Sequence, residues 1–188
     1  METRVTQTMP GALERKTSVW EEGQITMTPT ELQRQHLDDV WRYVSSRLDR
    51  HEDAEDVTME VMVAAFRRLE QDTVLADPKL WLLTIAKNKV TDALRRKYRR
   101  RETPLVDTDH LEEIDHVKRF AVNSILDQMP EDHSQALVLK YVNGLSTEEV
   151  AVVLKKSPDA ANSLLQRARQ GFRELGSDTF EMTDREEK

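Results

Sequence analysis

The stretch Leu126–Leu175, LDQMPEDHSQALVLKYVNGLSTEEVAVVLKKSPDAANSLLQRARQGFREL, holds three helical segments separated by two breaks. Gly144 tolerates left-handed backbone and predicts the end of the first segment. Ser146 and Glu149 have the Ser-x-x-Glu spacing of a capping box, and Leu145 and Val150 stand where a hydrophobic staple would. Ser157-Pro158 puts a capping hydroxyl before a proline at the first helical position, where the missing N–H costs nothing. Asp159 adds an acid to the positive first turn. Ala161, Leu164, Leu165, Ala168, Phe172 and Leu175 keep helical spacing and predict one packed face, with Gly176 as the stop. This layout is a helix-turn-helix, which offers its second helix to the DNA major groove. A small three-helix bundle that binds protein satisfies the same pattern.

Working outward, 188 residues allow one domain or two small ones. The chain has no cysteine, which excludes disulfides and thiolate zinc sites and fits a reducing cytosol. No apolar run approaches the roughly 20 residues needed to span a bilayer, and the N-terminus lacks the apolar core of a signal peptide. Five glycines, with abundant Glu, Lys, Arg, Leu and Ala, favour an all-helical protein.

A net charge of −7 argues against a generally basic nucleic-acid coat protein, but the charge is unevenly spread. Between Lys87 and Arg101 eight basic residues face one acid, Asp92; between Glu102 and Val117 there are six acids and no Lys or Arg. Such an abrupt change of sign predicts two different partners or surfaces.

The expected architecture is all-α: two small helical domains joined by an acidic flexible linker, the C-terminal one the helix-turn-helix. Residues 1–28 read as a disordered N-terminal tail, 29–101 as the first domain, 102–116 as the linker, 117–176 as the second domain and 177–188 as an acidic tail. Thr28-Pro29-Thr30-Glu31 is a capping box that opens a first helix. Asp53 is placed to cap a second, from about Ala54 to Leu69; Gln71–Asp77 reads as a loop, and Asp77-Pro78 starts a third helix running to about Arg100.

The second helix carries two apolar stripes: Val57, Val61, Ala64, Ala65 and Leu69 on one face, and Met59, Met62, Val63 and Phe66 on another. A helix apolar on two faces is expected at the centre of its bundle. Glu55, Asp56 and Glu60 give it an acidic end suited to a basic partner. The third helix packs Leu80, Leu83, Ile85, Ala86, Val90, Ala93 and Leu94, and Lys87, Asn88, Lys89, Arg95 and Arg96 form a positive side. A basic groove beside an aromatic such as Trp81 suits single-stranded or distorted DNA, where phosphates bind cations and bases stack on rings. A solvated basic helix end accounts for the same cluster.

Together these segments resemble a bacterial sigma-70-family transcription initiation factor of the small extracytoplasmic-function type. HEDAEDVTMEVMVAAFRRL (51–69) and DPKLWLLTIAKNKVTDALRRKYRR (77–100) look like the family's region 2, the latter with Trp81, Leu82, Ile85, Ala86, Asn88, Asp92, Leu94, Arg95 and Arg96 in the family pattern. LDQMP…ALVLKYVNGLSTEEVAVVL…S…LLQRAR is similar to region 4. The resemblance covers roughly residues 30–175, and the order and spacing of the motifs make it specific. It implies core RNA polymerase (its clamp helices and flap) and promoter DNA as partners, and it leaves room for an anti-sigma factor or a recruiting protein. By that resemblance Glu55, Asp56 and Glu60 would dock on the clamp helices. Asp72, Thr73 and Trp81 would hold flipped-out bases of the −10 element, and Lys87, Asn88, Lys89, Arg95 and Arg96 would contact that element and its backbone. The acidic linker would enter the polymerase cleft. Lys155, Lys156, Ser157, Asn162, Ser163, Arg167 and Arg169 would meet the −35 element.

The recognition helix departs from the family pattern. The usual Gly-hydrophobic turn is Lys155-Lys156 here, and the usual Gly-Thr-Val-Lys-Ser-Arg-Leu is Asp159-Ala160-Ala161-Asn162-Ser163-Leu164-Leu165. Losing base contacts worth about 1–3 kcal/mol each predicts weakened or altered −35 recognition and reliance on a recruiting partner. A stand-alone helix-turn-helix regulator is the competing class; it leaves the second and third helices without a purpose. No catalysis, metal or cofactor is expected, because the five histidines lack ligand spacing and no glycine loop for phosphate is present.

Overall fold

A computed structural model of the chain describes residues 27–69, 75–100 and 113–186. It is all-α: α1 (Pro29–Ser45), α2 (His51–Leu69), α3 (Pro78–Arg100), α4 (Glu113–Gln128), α5 (Glu131–Leu137), α6 (Thr147–Leu154) and α7 (Pro158–Glu186), with a π-helical turn (Val138–Val142) extending α5. The expected N-terminal tail up to residue 26, the loop residues Asp72 and Thr73, and the linker up to residue 112 lie outside the described residues.

The local chemistry read from the sequence recurs in the backbone. Thr28 Oγ1 accepts from the Glu31 N–H at 3.3 Å, and Glu31 Oε2 accepts from the Thr28 N–H at 3.0 Å. That backbone hydrogen bond is the main reason the Glu31 carboxyl titrates below its ordinary range. Ser146 and Glu149 repeat the box before α6, at 3.1 and 2.7 Å. Gly144 ends the preceding segment in left-handed backbone, at φ +72°. Leu145 and Val150 are both buried behind the box. Ser157 Oγ accepts from the Ala160 N–H at 3.2 Å, and Pro158 is the first residue of α7. Asp77 Oδ1 does the same for the Leu80 N–H ahead of α3.

Three expectations change. The second helix starts at His51 rather than Ala54, so Asp53 lies inside its first turn. Two contacts explain this: Arg50 O accepts from the Ala54 N–H, and His51 stacks edge-on against Trp41 at 5.2 Å. α7 does not stop at Gly176 but continues to Glu186. No proline follows to break it, and the Ser177 hydroxyl donates to the Arg173 carbonyl. The second apolar stripe of α2 is not wholly buried either. Met62 is buried, but Met59 is 64% and Val63 41% exposed. α1 and α3 cover only one side of α2, through Val57, Val61 and Ala65, and leave the other to solvent.

α1, α2 and α3 pack on one another around Leu32, Val40, Tyr43, Val44, Val61, Leu82, Leu83 and Val90. In the C-terminal half α7 is central, touching α4, α5 and α6 over Ile125, Leu139, Val150, Val153, Leu165 and Ala168. The two halves also touch. α3 lies against α6, α1 lies against the π-helical turn, and a single apolar cluster runs through both.

Lys155, at the turn into α7, holds left-handed backbone at φ 54°. A side chain there costs about 1 kcal/mol because Cβ crowds the following carbonyl, whereas glycine sits there without strain. Lys155→Gly is therefore expected to raise unfolding stability by roughly 0.5–1 kcal/mol, read as a shift in denaturant midpoint at constant slope.

Candidate nucleic-acid interface

The basic residues of α3 do not form one surface. Lys89 Nζ lies 2.9 Å from Glu60 Oε2, and Arg96 Nη2 lies 3.9 Å from Glu60 Oε1, so these two cations turn toward α2. The helical period then puts Lys87, Asn88, Thr91 and Arg95 on another face. That face lines a cleft of about 510 Å³ whose opposite wall is Glu131, Asp132, Gln135, Leu154 and Lys156 from the C-terminal half. Lys87 is half-buried and its ammonium titrates below its ordinary value. Burial is the largest cause, followed by the positive charge of Lys155; Lys156 adds to it. The basic face of α3 and Lys156 of the helix-turn-helix turn therefore converge on one cleft.

On α2, Glu55 and Asp56 are exposed. Glu55 pairs with His51 at 3.3 Å, one turn back. Glu60 is instead engaged by α3, so it and the two neighbouring acids do not form one free acidic end. The exposed Met59 and Val63 lie one helical turn apart on the same element. Trp81 is half-buried against the core at the start of α3. Asp72 and Thr73 fall outside the described residues.

In the helix-turn-helix, Lys155, Ser157, Asn162, Ser163, Arg167 and Arg169 are all exposed. Lys156 Nζ donates to Asp132 Oδ2 at 3.1 Å. Arg167 and Arg169 fold back along their own helix, their Nε atoms donating to the Ser163 and Leu165 carbonyls. Leu164, where the family pattern has arginine, is only 4% exposed and belongs to the core. The leading outer face of α7 thus offers Asp159, Ala160, Asn162 and Ser163, with no cation before Arg167.

Residues 32–100 match the family model for Sigma-70 region 2, and residues 119–170 match that for Sigma-70, region 4. The probable RNA polymerase sigma-C factor of Mycobacterium bovis is 30% identical over 140 residues, 71% of this chain and 75% of that protein. This chain belongs to the extracytoplasmic-function sigma-70 family. The sigma factor SigE of Mycolicibacterium smegmatis is 32% identical over 154 residues, covering 77% of this chain and 60% of SigE. The chain spans 54% of BldN of Streptomyces coelicolor, so it matches well under two thirds of both these relatives. Among solved structures, CnrH in complex with the cytosolic domain of CnrY shares the fold at a TM-score of 0.61 and 24% identity, covering 78% of this chain and 86% of CnrH. RpoE from Bartonella quintana, solved with the anti-sigma factor NepR, also gives 0.61, at 21% identity over 74% of this chain and 90% of that one.

Sequence reading missed the far wall of the cleft. Glu131, Asp132, Thr91 and Gln135 carried no signal in the sequence. Nothing in the local pattern brings them together, because the contacts span 40 and 44 residues.

The Asp132–Lys156 pair sets a pH test. The hydrogen bond from Lys156 is the main cause holding the Asp132 carboxyl below its ordinary value of 3.8. A carboxyl lowered in the folded state contributes stability above its unfolded value and loses it as pH falls through the folded one. The exposed pair is worth about 0.2–1 kcal/mol. Asp132→Asn should thus lower stability slightly at neutral pH, and its difference from the parent should vanish in acid below 3.8.

Proposed function

We propose that this chain is a transcription initiation factor that binds core RNA polymerase and directs promoter recognition and strand opening. The carrying observation is the pairing of the two sigma-70 regions, in order, with two helical halves: α3 presents a cationic face and α6–α7 present a helix-turn-helix. The work is done by binding energy, and the chemistry belongs to the polymerase. Residues 29–101 form the polymerase- and −10-binding domain and 117–176 the −35-binding domain, with the linker between them; the expected end of that linker, 113–116, is instead the first turn of α4. The factor acts in the cytoplasm; among the described residues no helix is long and apolar enough to cross a membrane.

The exposed Met59 and Val63, flanked by Glu55 and Asp56, form the polymerase-docking face of α2. An apolar pair with an acidic rim suits a partner that buries the first and meets the second with cations. The face also separates this reading from a stand-alone helix-turn-helix regulator, which has no use for it. Lys87, Asn88 and Arg95 meet the −10 element, and Lys89 and Arg96 support it from the α2 side. At the −35 element the leading face of α7, which carries an acid and no cation, weakens recognition, so that a recruiting protein assists. Control by an anti-sigma factor belongs to the same reading.

Reconstituted transcription with core polymerase and a promoter library tests this function, and initiation that depends on both factor and promoter is the expected result. Met59→Glu combined with Val63→Glu should weaken co-purification with core polymerase by about tenfold or more, corresponding to roughly 1.4 kcal/mol. Arg95→Ala should leave co-purification intact and reduce the salt slope of promoter binding by about one. Co-purification unaffected by the paired change would remove α2 as the docking face. In a gel shift, tight sequence-specific binding of a −35 duplex by the full chain alone would contradict the weakened recognition.

A further inference from the structure

The packed side of α7 fixes which side is left for DNA. Ala161, Leu164, Leu165 and Ala168 are buried on the face that meets α4, α5 and α6. At about 3.6 residues per turn, the opposite face is the row Asp159, Ser163, Gln166 and Gln170, with Asn162 at its edge. All five are exposed. The row carries no cation until Arg173, about two turns beyond Gln166. Two guanidiniums stand on its flanks instead. Arg167 and Arg169 are two residues apart, close to opposite sides of the helix, so the amide of Gln166 lies between them. Each commits its Nε to a carbonyl of its own helix at 3.3 Å. Those bonds hold the guanidiniums beside the helix and leave their terminal nitrogens for an outside partner.

A helix laid in the major groove meets base edges with its central row and the two phosphate strands with its flanks. Cations on the flanks and amides in the centre match that division. The amides also differ among themselves. Gln170 Nε2 donates to Glu174 Oε1 at 2.9 Å, one turn further on. The side chains of Asn162 and Gln166 hydrogen-bond to nothing among the described residues. A carboxamide offers an N–H donor and a carbonyl acceptor side by side. Adenine presents their complement in the major groove, N7 as acceptor and the N6 amino group as donor; guanine presents two acceptors, N7 and O6. Reading guanine calls for a fork of two donors, which is the geometry of arginine. Leu164, where the family pattern has arginine, is in the core. The Asp159 carboxylate at the head of the row disfavours guanine for the same reason, because acceptor would meet acceptor.

We propose that Gln166 and Asn162 are the specificity-determining residues of α7 and read adenines in the −35 element, with Arg167 and Arg169 gripping phosphates on either side. This rests on the reading of the chain as a promoter-recognition factor whose α7 meets that element. It adds the base: the discrimination that survives there is for A·T pairs.

The test uses core polymerase, the full-length chain and a promoter library in which the −10 element is kept from a promoter the parent initiates and the −35 element is randomised. Counting transcripts by sequence should show adenine favoured at two positions, by about fivefold or more at each. Gln166→Ala should abolish the preference at one position and leave the other. Gln166→Arg should change that same position to guanine, which a merely solvated helix face would not do. Arg167→Ala should lower initiation alike across sequences and reduce the salt slope of promoter binding by about one. Gln166 is exposed, so circular dichroism should show the same helical content in each Gln166 variant as in the parent. Initiation indifferent to the −35 bases, a parental preference for guanine, or a preference that Gln166→Arg leaves unmoved would each overturn the adenine readout and leave the sigma function standing. Failure of the parent to initiate from any promoter would take down the function itself and the readout with it.

Discussion

The arrangement of the two halves depends on a buried guanidinium. Arg47 sits at the end of α1, withdrawn from water, and Glu131 is the carboxylate that offsets its charge. A buried pair of this kind adds little net stability, but removing one member costs about 3–5 kcal/mol because the other stays charged and unsolvated. Its effect is therefore on geometry rather than strength. It fixes where α5 begins, and so where Gln135 and Asp132 stand relative to α3. The apolar core that runs through both halves supplies attraction without direction. The polar contacts select one docking among the many that attraction allows.

That docking gives α3 three neighbours with different demands. Its apolar positions, Leu82, Leu83, Ala86 and Val90, hold it in the core. Lys89 and Arg96 are partly neutralised by Glu60 and stiffen the helix against α2. Lys87 and Asn88 line the cleft, and Arg95, on the same side, lies 3.8 Å from Asp92 of its own helix. A run of eight basic residues in sequence thus becomes a smaller and more selective surface once the helix is placed.

What could be read from the sequence follows from the range of each interaction. The boxes at Thr28–Glu31 and Ser146–Glu149, the left-handed Gly144 and the Ser157-Pro158 start are complete within four residues, so they are visible in the letters. The recognition-helix face was equally plain, because Ala161, Leu165 and Ala168 repeat at the helical period. Met59 and Val63 show the limit of that reasoning. Periodicity counts apolar residues but cannot say whether a neighbour covers them, and here none among the described residues does. The bond from Arg47 to Glu131 was beyond reach for a different reason. Each residue has an ordinary local explanation, and only the folded chain brings them to 2.9 Å. Gly176 misled because glycine permits a helix end without requiring one.

The π-helical turn at Val138–Val142 carries one extra residue per turn, with the Asn143 N–H bonding back to the Val138 carbonyl. Such turns interrupt helices at sites of use more often than elsewhere. Here it changes the phase of the chain. α5 faces α7, and beyond the turn the same continuous segment presents Asn143 to α1. One segment thereby serves two interfaces whose orientations an unbroken α-helix would tie together. Shortening it by one residue would leave the capping box at Ser146 and the helix-turn-helix intact while rotating Asn143 away from Asp39. The contact of Asn143 with α1 is thus tied to a single-residue register.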